Sequence, residues 1–353
     1  MKFARKADHI DICLNKDVNT SRNYWDDVQL LHKAMPEIDM GAIDTSVELF
    51  GKELKAPIVI SAITGGFEGA EKINRNLAKA AAEVGVGMGV GSQRPALEHA
   101  ELASSYEVVK EFDVPLVIGN VGAPQLVEQK KRHAFGMEDC QRAMEMVGAD
   151  VLAIHLNFLQ EIVQPEGDTN AAGCLDAMGK VARQMPVLAK ETGAGLSRDM
   201  AQELRLKGVK GFDVGGMGGT SFSAVEYHRA MGMNDEMLSR LGKTFWDWGI
   251  PTPVSILEAE VGLPVIATGG LNTGLDAAKA ISLGANAAGY ARKFLCPAME
   301  SSEAVVKELN MIIAELKAAM FLTGSSSIQG LQETPVIVTG HLSEWFNAME
   351  PEG

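Results

Sequence analysis

Cysteine, aromatic residues and positive charge are all scarce in this chain, and each shortage excludes something. The four cysteines, Cys13, Cys140, Cys174 and Cys296, lie far apart. They make no C-x-x-C pair of the kind found in zinc sites and are too sparse for a secreted disulfide scaffold, so reduced thiols in a cytoplasmic protein are expected. Aromatics are 6% of residues beside 37 glycines, which suits many short strand-to-helix turns better than an all-β sandwich. Lys and Arg number 32 against 46 Asp and Glu, a net charge of -14. With no basic run present, nucleic acid and anionic membranes are disfavoured as partners. A small anionic ligand stays compatible, because a few Arg and Lys can focus the field inside one pocket. No apolar run approaches the ~18 to 20 residues of a membrane span, and residues 1–11 carry charges instead of an apolar segment, so no signal peptide is expected.

What is present is ordinary for a globular chain of 353 residues: 46% hydrophobic, 22% charged, with a mean hydropathy of +0.02. Eight short apolar, β-rich segments recur at 57–61, 84–88, 115–119, 151–155, 186–190, 211–214, 264–268 and 285–289. Helix-period stretches lie between or after them, at 70–83, 100–112, 137–147, 174–184, 198–207, 273–283 and 302–321. Nearly continuous apolar strands alternating with helices are the pattern of buried parallel strands, so an α/β fold of the (β/α)8 TIM-barrel type is expected. An open doubly wound sheet is the alternative. The glycines of 85–91 miss the G-x-G-x-x-G spacing it would use, and no P-loop is present.

Barrel chemistry gathers past the carboxyl ends of the strands, which makes a short list of candidates. After strands seven and eight come Gly269-Gly270-Leu271-Asn272 and Tyr290-Ala291-Arg292. Turns of this kind can offer backbone N–H groups to a phosphate. The glycine run 215–220 after strand six adds to that site. Lys190 ends an apolar strand, so its ammonium needs either an electron-rich ligand or a salt bridge to Glu191 or a neighbouring carboxylate. Asn120 after strand three reads equally well as a turn residue. Arg5-Lys6 and Ser92-x-Arg94 could together hold a diphosphate, since Arg presents a planar donor fork, although basic residues near an amino terminus are commonly just solvated. After strand four, His155, Asn157, Gln160 and Glu161 bring together an imidazole, two amides and a carboxylate. A lone Glu beside phosphates is the ligand style of Mg2+ and not of zinc. His155 as a core histidine and Glu161 as a helix-start carboxylate are the plain alternatives.

In order and spacing, these residues resemble the type 2 isopentenyl diphosphate isomerases. The resemblance is carried by Arg5-Lys6-Ala7-Asp8-His9, Thr64-Gly65-Gly66, Gly91-Ser92-Gln93-Arg94, Gly119-Asn120, His155-Leu156-Asn157 with Gln160-Glu161, Lys190-Glu191, Asp213 to Thr220, residues 248–252 and Gly269-Gly270. It covers nearly the whole chain. It implies a single FMN-binding barrel domain over 1–353, with 1–55 as an N-terminal extension contributing to the substrate site and an inserted loop after strand six. It implies FMN held by Ala62, Ile63, Thr64, Ser92, Asn120, Lys190, Thr220, Gly270, Leu271, Asn272, Ala291 and Arg292. The substrate diphosphate falls to Arg5, Lys6, Ser92, Gln93 and Arg94, with His155, Asn157 and Gln160 also at the substrate, and Mg2+ falls to Glu161. Gln160, His155, Lys190 and Glu226 are the implied catalytic set. Phe222 departs from relatives that place Trp there.

The implied activity is interconversion of isopentenyl and dimethylallyl diphosphate in isoprenoid biosynthesis, an allylic proton shift without net redox change. An unactivated alkene is a poor base, and no strong acid stands among the candidates, which argues that a cofactor does the proton transfer. The resemblance implies reduced FMN in that role, with NADPH or another reductant only priming it, in a cytoplasmic homo-oligomer, a tetramer or octamer. Another FMN barrel, a 2-hydroxy acid oxidase or a nucleotide dehydrogenase, is the competing reading. The former would want a His-Gly pair with an Arg near the sixth or seventh turn, and the latter a Cys in a glycine loop. Neither is found at 215–220. A non-enzymatic flavin-binding protein would be expected to lose Gln160 and Glu161, which this chain keeps.

Overall fold

The computed structural model describes residues 4–349, with side chains from Lys6 onward. Eight strands close into one parallel barrel: β1 (Ile58–Ile60), β2 (Gly87–Gly89), β3 (Leu116–Gly122), β4 (Val151–Leu156), β5 (Val187–Glu191), β6 (Gly211–Asp213), β7 (Val265–Ala267) and β8 (Ala287–Tyr290). Each pairs with the next in chain order, and β8 returns to β1.

Period-two alternation sorts the strand residues between two cores. Val59, Ile118, Ala153, Leu188, Ile266 and Ala287 pack together inside the barrel, over Leu49 and Leu54. Those two leucines belong to the antiparallel hairpin Val47–Leu49 with Lys52–Leu54, which fills the barrel floor. The intervening residues, Ile58, Ile60, Leu152, Ile154, Val187 and Ala189 among them, pack outward against the helices. Two residues further along, the inward parity gives Ser61, Asn120, His155, Lys190, Thr268 and Gly289, so the same alternation that plugs the floor puts polar groups at the mouth.

Several helices match the sequence pattern closely, including Ala70–Val84, Met137–Val147 and Ser302–Thr323. Three expectations need correction. The helix before the second strand runs on through Val84 and closes at Gly85, so the strand is Gly87–Gly89 and not 84–88. The stretch 100–112 is broken into Ala100–Leu102, Ser104–Glu107 and Val108–Glu111. There the Asn74 side chain donates to the Ser105 carbonyl and Ser105 Oγ accepts the Gly66 N–H, so tertiary bonds compete with a regular helix. The insertion after β6 is largely helical: Phe222–Gly232, Glu236–Thr244 and Thr252–Glu258. Ser221 and Asp235 cap the first two by accepting the N–H groups of Ala224 and Leu238.

The amino-terminal helix Ala4–Asn15 packs on this insertion through Ile12, which with Val18 just beyond the helix meets Ala224 and Val225. Residues further along close the ends of the chain together, where Val28–Leu30 pairs antiparallel with Val336–Val338. The first helix is thereby held beside the barrel mouth, with Lys6 donating to the carbonyls of Gly65 and Ser92 at 2.6 and 2.8 Å.

Candidate active site

A cavity of about 760 Å3 opens at the carboxyl ends of the strands. Of the residues expected at the site, Lys6, Ala62, Ile63, Thr64, Ser92, Arg94, Asn120, His155, Asn157, Gln160, Glu161, Lys190, Thr220, Gly270, Leu271, Asn272, Ala291 and Arg292 all line it. The Arg5 side chain lies outside the described residues. Gln93 and Glu226 do not line the cavity.

Gln93 is turned into the barrel wall. Its Nε2 donates to the Ala143 carbonyl and its Oε1 accepts the Asn120 N–H, each at 2.8 Å, and the residue is wholly buried. Both ends of the amide are used in tying the turn after β2 to β3, so Gln93 supports the site from behind and has no side-chain reach to a diphosphate.

At β5 the register sets His155 beside Lys190 and Lys190 beside Asp213. Lys190 Nζ therefore meets Asp213 Oδ2 at 2.6 Å, and Thr268 Oγ1 donates to the other Asp213 oxygen. Of the two salt-bridge partners open to Lys190, the neighbouring carboxylate takes it. Glu191 follows in the strand and points the other way. Its Oε2 accepts the N–H groups of Thr192, Gly193, Ala194 and Gly195 at 2.5 to 3.0 Å. Burial pushes the Glu191 carboxyl up to about 7 against the pull of those four donors. On the next strand pair inward, His155 Nδ1 lies 2.7 Å from Asn120 Oδ1, and Asn120 Nδ2 donates to the Val90 carbonyl.

The turns after β7 and β8 leave a row of backbone donors at the cavity edge. Among the described residues no group accepts from the backbone N–H of Gly270, Leu271, Ala291 or Arg292. Gly270 has φ +77, and a Cβ there would sit 2.4 Å from the Gly218 carbonyl oxygen, so only glycine lets the two glycine turns meet. Asn23 Nδ2 braces the Gly270 carbonyl at 3.0 Å, and Arg292 donates to Asn19 at 2.8 Å. Free N–H donors around a glycine turn fit a phosphate monoester such as that of FMN.

Across the mouth, the short helix Phe158–Val163 carries Gln160 and Glu161. Glu161 accepts from Asn157 Nδ2 at 2.9 Å, Gln164 Nε2 at 3.2 Å and the Asp168 N–H at 2.7 Å. Burial raises its carboxyl, opposed by the Asp168 N–H, Arg94 and Asn157. Asn157 Oδ1 is buried without a partner. An orphaned amide oxygen beside a carboxylate is a hard-oxygen pair that fits Mg2+, provided substrate oxygens and waters complete the shell. Among the described residues no group of three or more His, Cys, Asp or Glu is arranged to hold a metal ion, so a self-contained protein cage is not what this site offers.

Residues to which the sequence pattern assigned no role support these groups. His9 Nε2 lies 2.8 Å from Glu226 Oε1, which also accepts from Gln160 Nε2 at 3.1 Å, while Arg229 donates to Glu226 Oε2 at 2.6 Å. Burial by itself would raise the fully enclosed Glu226, but His9 and Arg229 outweigh it and hold the carboxyl at about 2. Arg94 pairs with Asp168 at 3.0 Å. Tyr106 donates to the Ser92 carbonyl at 2.6 Å and accepts from Lys6. Phe222 stands in the cavity wall, edge-on to His9 at 6.5 Å between ring centroids. His9 was within reach of sequence reasoning, since it stands one helical turn from Arg5-Lys6. Asp168 carried no local signal, and Asp213, though part of the motif that runs to Thr220, gave no sign of its pairing with Lys190.

Comparison with known proteins places this geometry in a lineage. A profile of the FMN-dependent dehydrogenase family matches residues 8–110 and 250–338. An isopentenyl-diphosphate delta-isomerase of Thermoplasma acidophilum is 46% identical over 98% of this chain and 99% of its own length. That of Archaeoglobus fulgidus is 48% identical over 97% and 98% respectively. Among solved structures, a mandelate oxidase variant carrying an FMN adduct superposes with a TM-score of 0.61 at 16% identity, covering 95% of this chain and 92% of that one. At such low identity the last likeness speaks for the fold alone.

Proposed function

The chain belongs to the FMN-dependent isopentenyl-diphosphate delta-isomerases, and from that premise we propose a division of labour within its cavity. FMN is bound with its phosphate in the N–H cup of Gly270, Leu271, Ala291 and Arg292, and Lys190 stands by the flavin ring. The substrate diphosphate lies across the mouth, at Arg94, Lys6 and Ser92, with Arg5, His155 and Asn157 in reach. Glu161 and the Asn157 amide oxygen would hold Mg2+, which would offset the charge of the diphosphate. Residues 1–55 act as an extension whose first helix closes the substrate side.

The observation that carries this reading is the opposition of two anion-directed sets in one cavity. Closed barrel order sets the turns after β7 and β8 across the mouth from those after β2 to β4, which carry Ser92, Arg94, Asn157 and Glu161. One pole suits a flavin phosphate and the other a metal-bound diphosphate, and Gln160 beside Glu161 is left facing the space between them.

When bound, reduced FMN would supply acid and base chemistry for the allylic proton shift, a reaction without net redox change. Lys190, neutralised in part by Asp213, lines the cavity and would favour negative charge on a flavin bound there. Gln160 is the side chain placed to orient the allylic carbons. Its amide is held on Glu226, and Glu226 stays anionic because His9 and Arg229 surround it. Phe222, from the helical insertion, gives that end of the cavity an apolar wall. NADPH or another reductant is needed only for priming. The remainder of the reading, a cytoplasmic homo-oligomer as tetramer or octamer, rests on the family resemblance, and light scattering would test it.

The decisive experiment is the visible spectrum of the purified protein, then anaerobic reduction and incubation with isopentenyl diphosphate and Mg2+. A yellow protein that bleaches on reduction and then forms dimethylallyl diphosphate is the expected result. A colourless protein that neither takes up FMN nor isomerises would overturn the reading.

A further inference from the structure

After the Phe158–Val163 helix the chain folds back on the helix it has just left. The Gly167 N–H donates to the Gln164 carbonyl at 3.0 Å, and a Cβ at Gly167 would lie 1.8 Å from the Glu161 carbonyl oxygen. Only a residue without a side chain admits so close a return. The turn delivers Asp168 to two places at once. Its backbone N–H reaches Glu161 Oε2 at 2.7 Å, and its carboxylate Oδ2 accepts from Arg94 Nη1 at 3.0 Å and from Arg132 Nη1. The Arg94 and Asp168 side chains are 7% and 8% exposed. Arg94 lines the cavity; Asp168 and Arg132 do not.

From this junction we propose that Asp168 is the positioning residue of the diphosphate site, aiming Arg94 through its carboxylate and fixing the Glu161 carboxylate through its N–H. The inference rests on the reading that Arg94 meets the diphosphate. A buried guanidinium on a flexible stem has several rotamers open to it, and a carboxylate bonded behind it favours the one that faces the cavity. Arg132 shares the same Asp168 oxygen, so that carboxylate is divided between two guanidiniums and anchors Arg94 without fully neutralising it. The two roles of Asp168 are separable, because an Asp168→Asn change keeps the backbone N–H on Glu161 and removes only the charge behind Arg94.

The test uses the FMN-loaded full chain, with inorganic pyrophosphate and Mg2+ titrated by calorimetry alongside steady-state kinetics on isopentenyl diphosphate. For Asp168→Asn, pyrophosphate affinity should fall and KM rise roughly tenfold while kcat stays within about twofold and FMN remains bound, since Arg94 loses its charge-assisted anchor and with it the aim of its fork at the diphosphate. Arg94→Ala should weaken binding at least as much, and the double variant should be no weaker than Arg94→Ala alone, because Asp168 acts through Arg94. Wild-type pyrophosphate binding in Asp168→Asn, or losses that multiply in the double variant, would overturn the proposal while leaving the site reading intact. Wild-type binding in Arg94→Ala would bring down the site reading and the proposal with it. Should Asp168→Asn not fold, Arg132→Ala removes a part-exposed member of the trio. It should weaken pyrophosphate several-fold with FMN retained, and unchanged binding there would equally refute the idea.

Discussion

Replacing Glu226 by Gln perturbs a fully buried carboxylate that three groups address, His9 at 2.8 Å, Arg229 at 2.6 Å and Gln160 at 3.1 Å. Its carboxyl is held at about 2 against an ordinary 4.5. Every tenfold change in proton affinity is worth about 1.4 kcal/mol, so the charge contributes on the order of 3 kcal/mol at neutral pH. The folded value is depressed, so this stability is complete above the unfolded value and fades as pH falls toward the folded one. By the same relation about 1 kcal/mol is left at pH 3. An unfolding entropy of about 2.1 cal/mol/K per residue over 353 residues converts 3 kcal/mol into a melting shift of roughly 4 °C. Thermal melts of the FMN-loaded wild type and of Glu226→Gln should therefore differ by about 4 °C at pH 7 and by roughly 1 to 2 °C at pH 3. The same substitution removes the ionic acceptor of Gln160, so kcat should fall by about tenfold or more with little change in KM. A melting gap as wide at pH 3 as at pH 7 would show that the carboxylate charge is not what His9 and Arg229 stabilise. An unaltered kcat would separate Glu226 from Gln160 and refute the chain of support drawn between them.

Three further outcomes are expected. Glu161→Gln keeps the shape and loses the charge a hard cation prefers, so the Mg2+ needed for half-maximal activity should rise at least about tenfold while FMN binding survives; wild-type Mg2+ dependence would remove Glu161 as the ligand. Turnover should require reduced flavin yet consume no NADPH in proportion to product, and anaerobic product assays against absorbance at the nicotinamide band would expose stoichiometric oxidation if the oxidoreductase reading were correct. Arg94→Ala and Gly270→Ala should fail in crossed fashion: the first with KM up about tenfold and flavin retained, the second with flavin lost, because its Cβ would press on the Gly218 carbonyl. Equal flavin release from both would mean that one anion site has been divided in two.

Much of the barrel was legible because its signals are local. Apolar runs of four or five residues, spaced by helix-length stretches, mark β1 through β8, the second displaced to Gly87–Gly89, and the closed barrel then turns alternate residues of each strand inward. That is why Asn120, His155 and Lys190, chosen only as residues at strand ends, all reach the cavity. Where the pattern misled, a nonlocal bond intervened. The helix expected over 100–112 breaks because the Ser105 carbonyl and hydroxyl serve Asn74 and Gly66. Gln93 sits amid the Ser92-x-Arg94 motif, but its amide is used up by Ala143 and Asn120. The insertion after β6 read as a loop because its glycines mask two well-capped helices.

By itself, then, the order of residues determined the strands, their parity, the glycine turns at the mouth and the family that shares them, since each depends on chain neighbours within a few positions. Tertiary structure decided the partners. Lys190 could have paired with Glu191, one residue away, but strand alternation turns Glu191 outward, and parallel register brings Asp213 alongside instead. Asp168 meets Arg94 and Arg132 only because Gly167 lets the chain reverse against Glu161. His9 reaches Glu226 across 217 residues of chain because the first helix packs on the insertion. Charge partners of this kind are chosen by where a closed sheet and its loops bring side chains together in low dielectric, and no spacing in the linear chain encodes that distance.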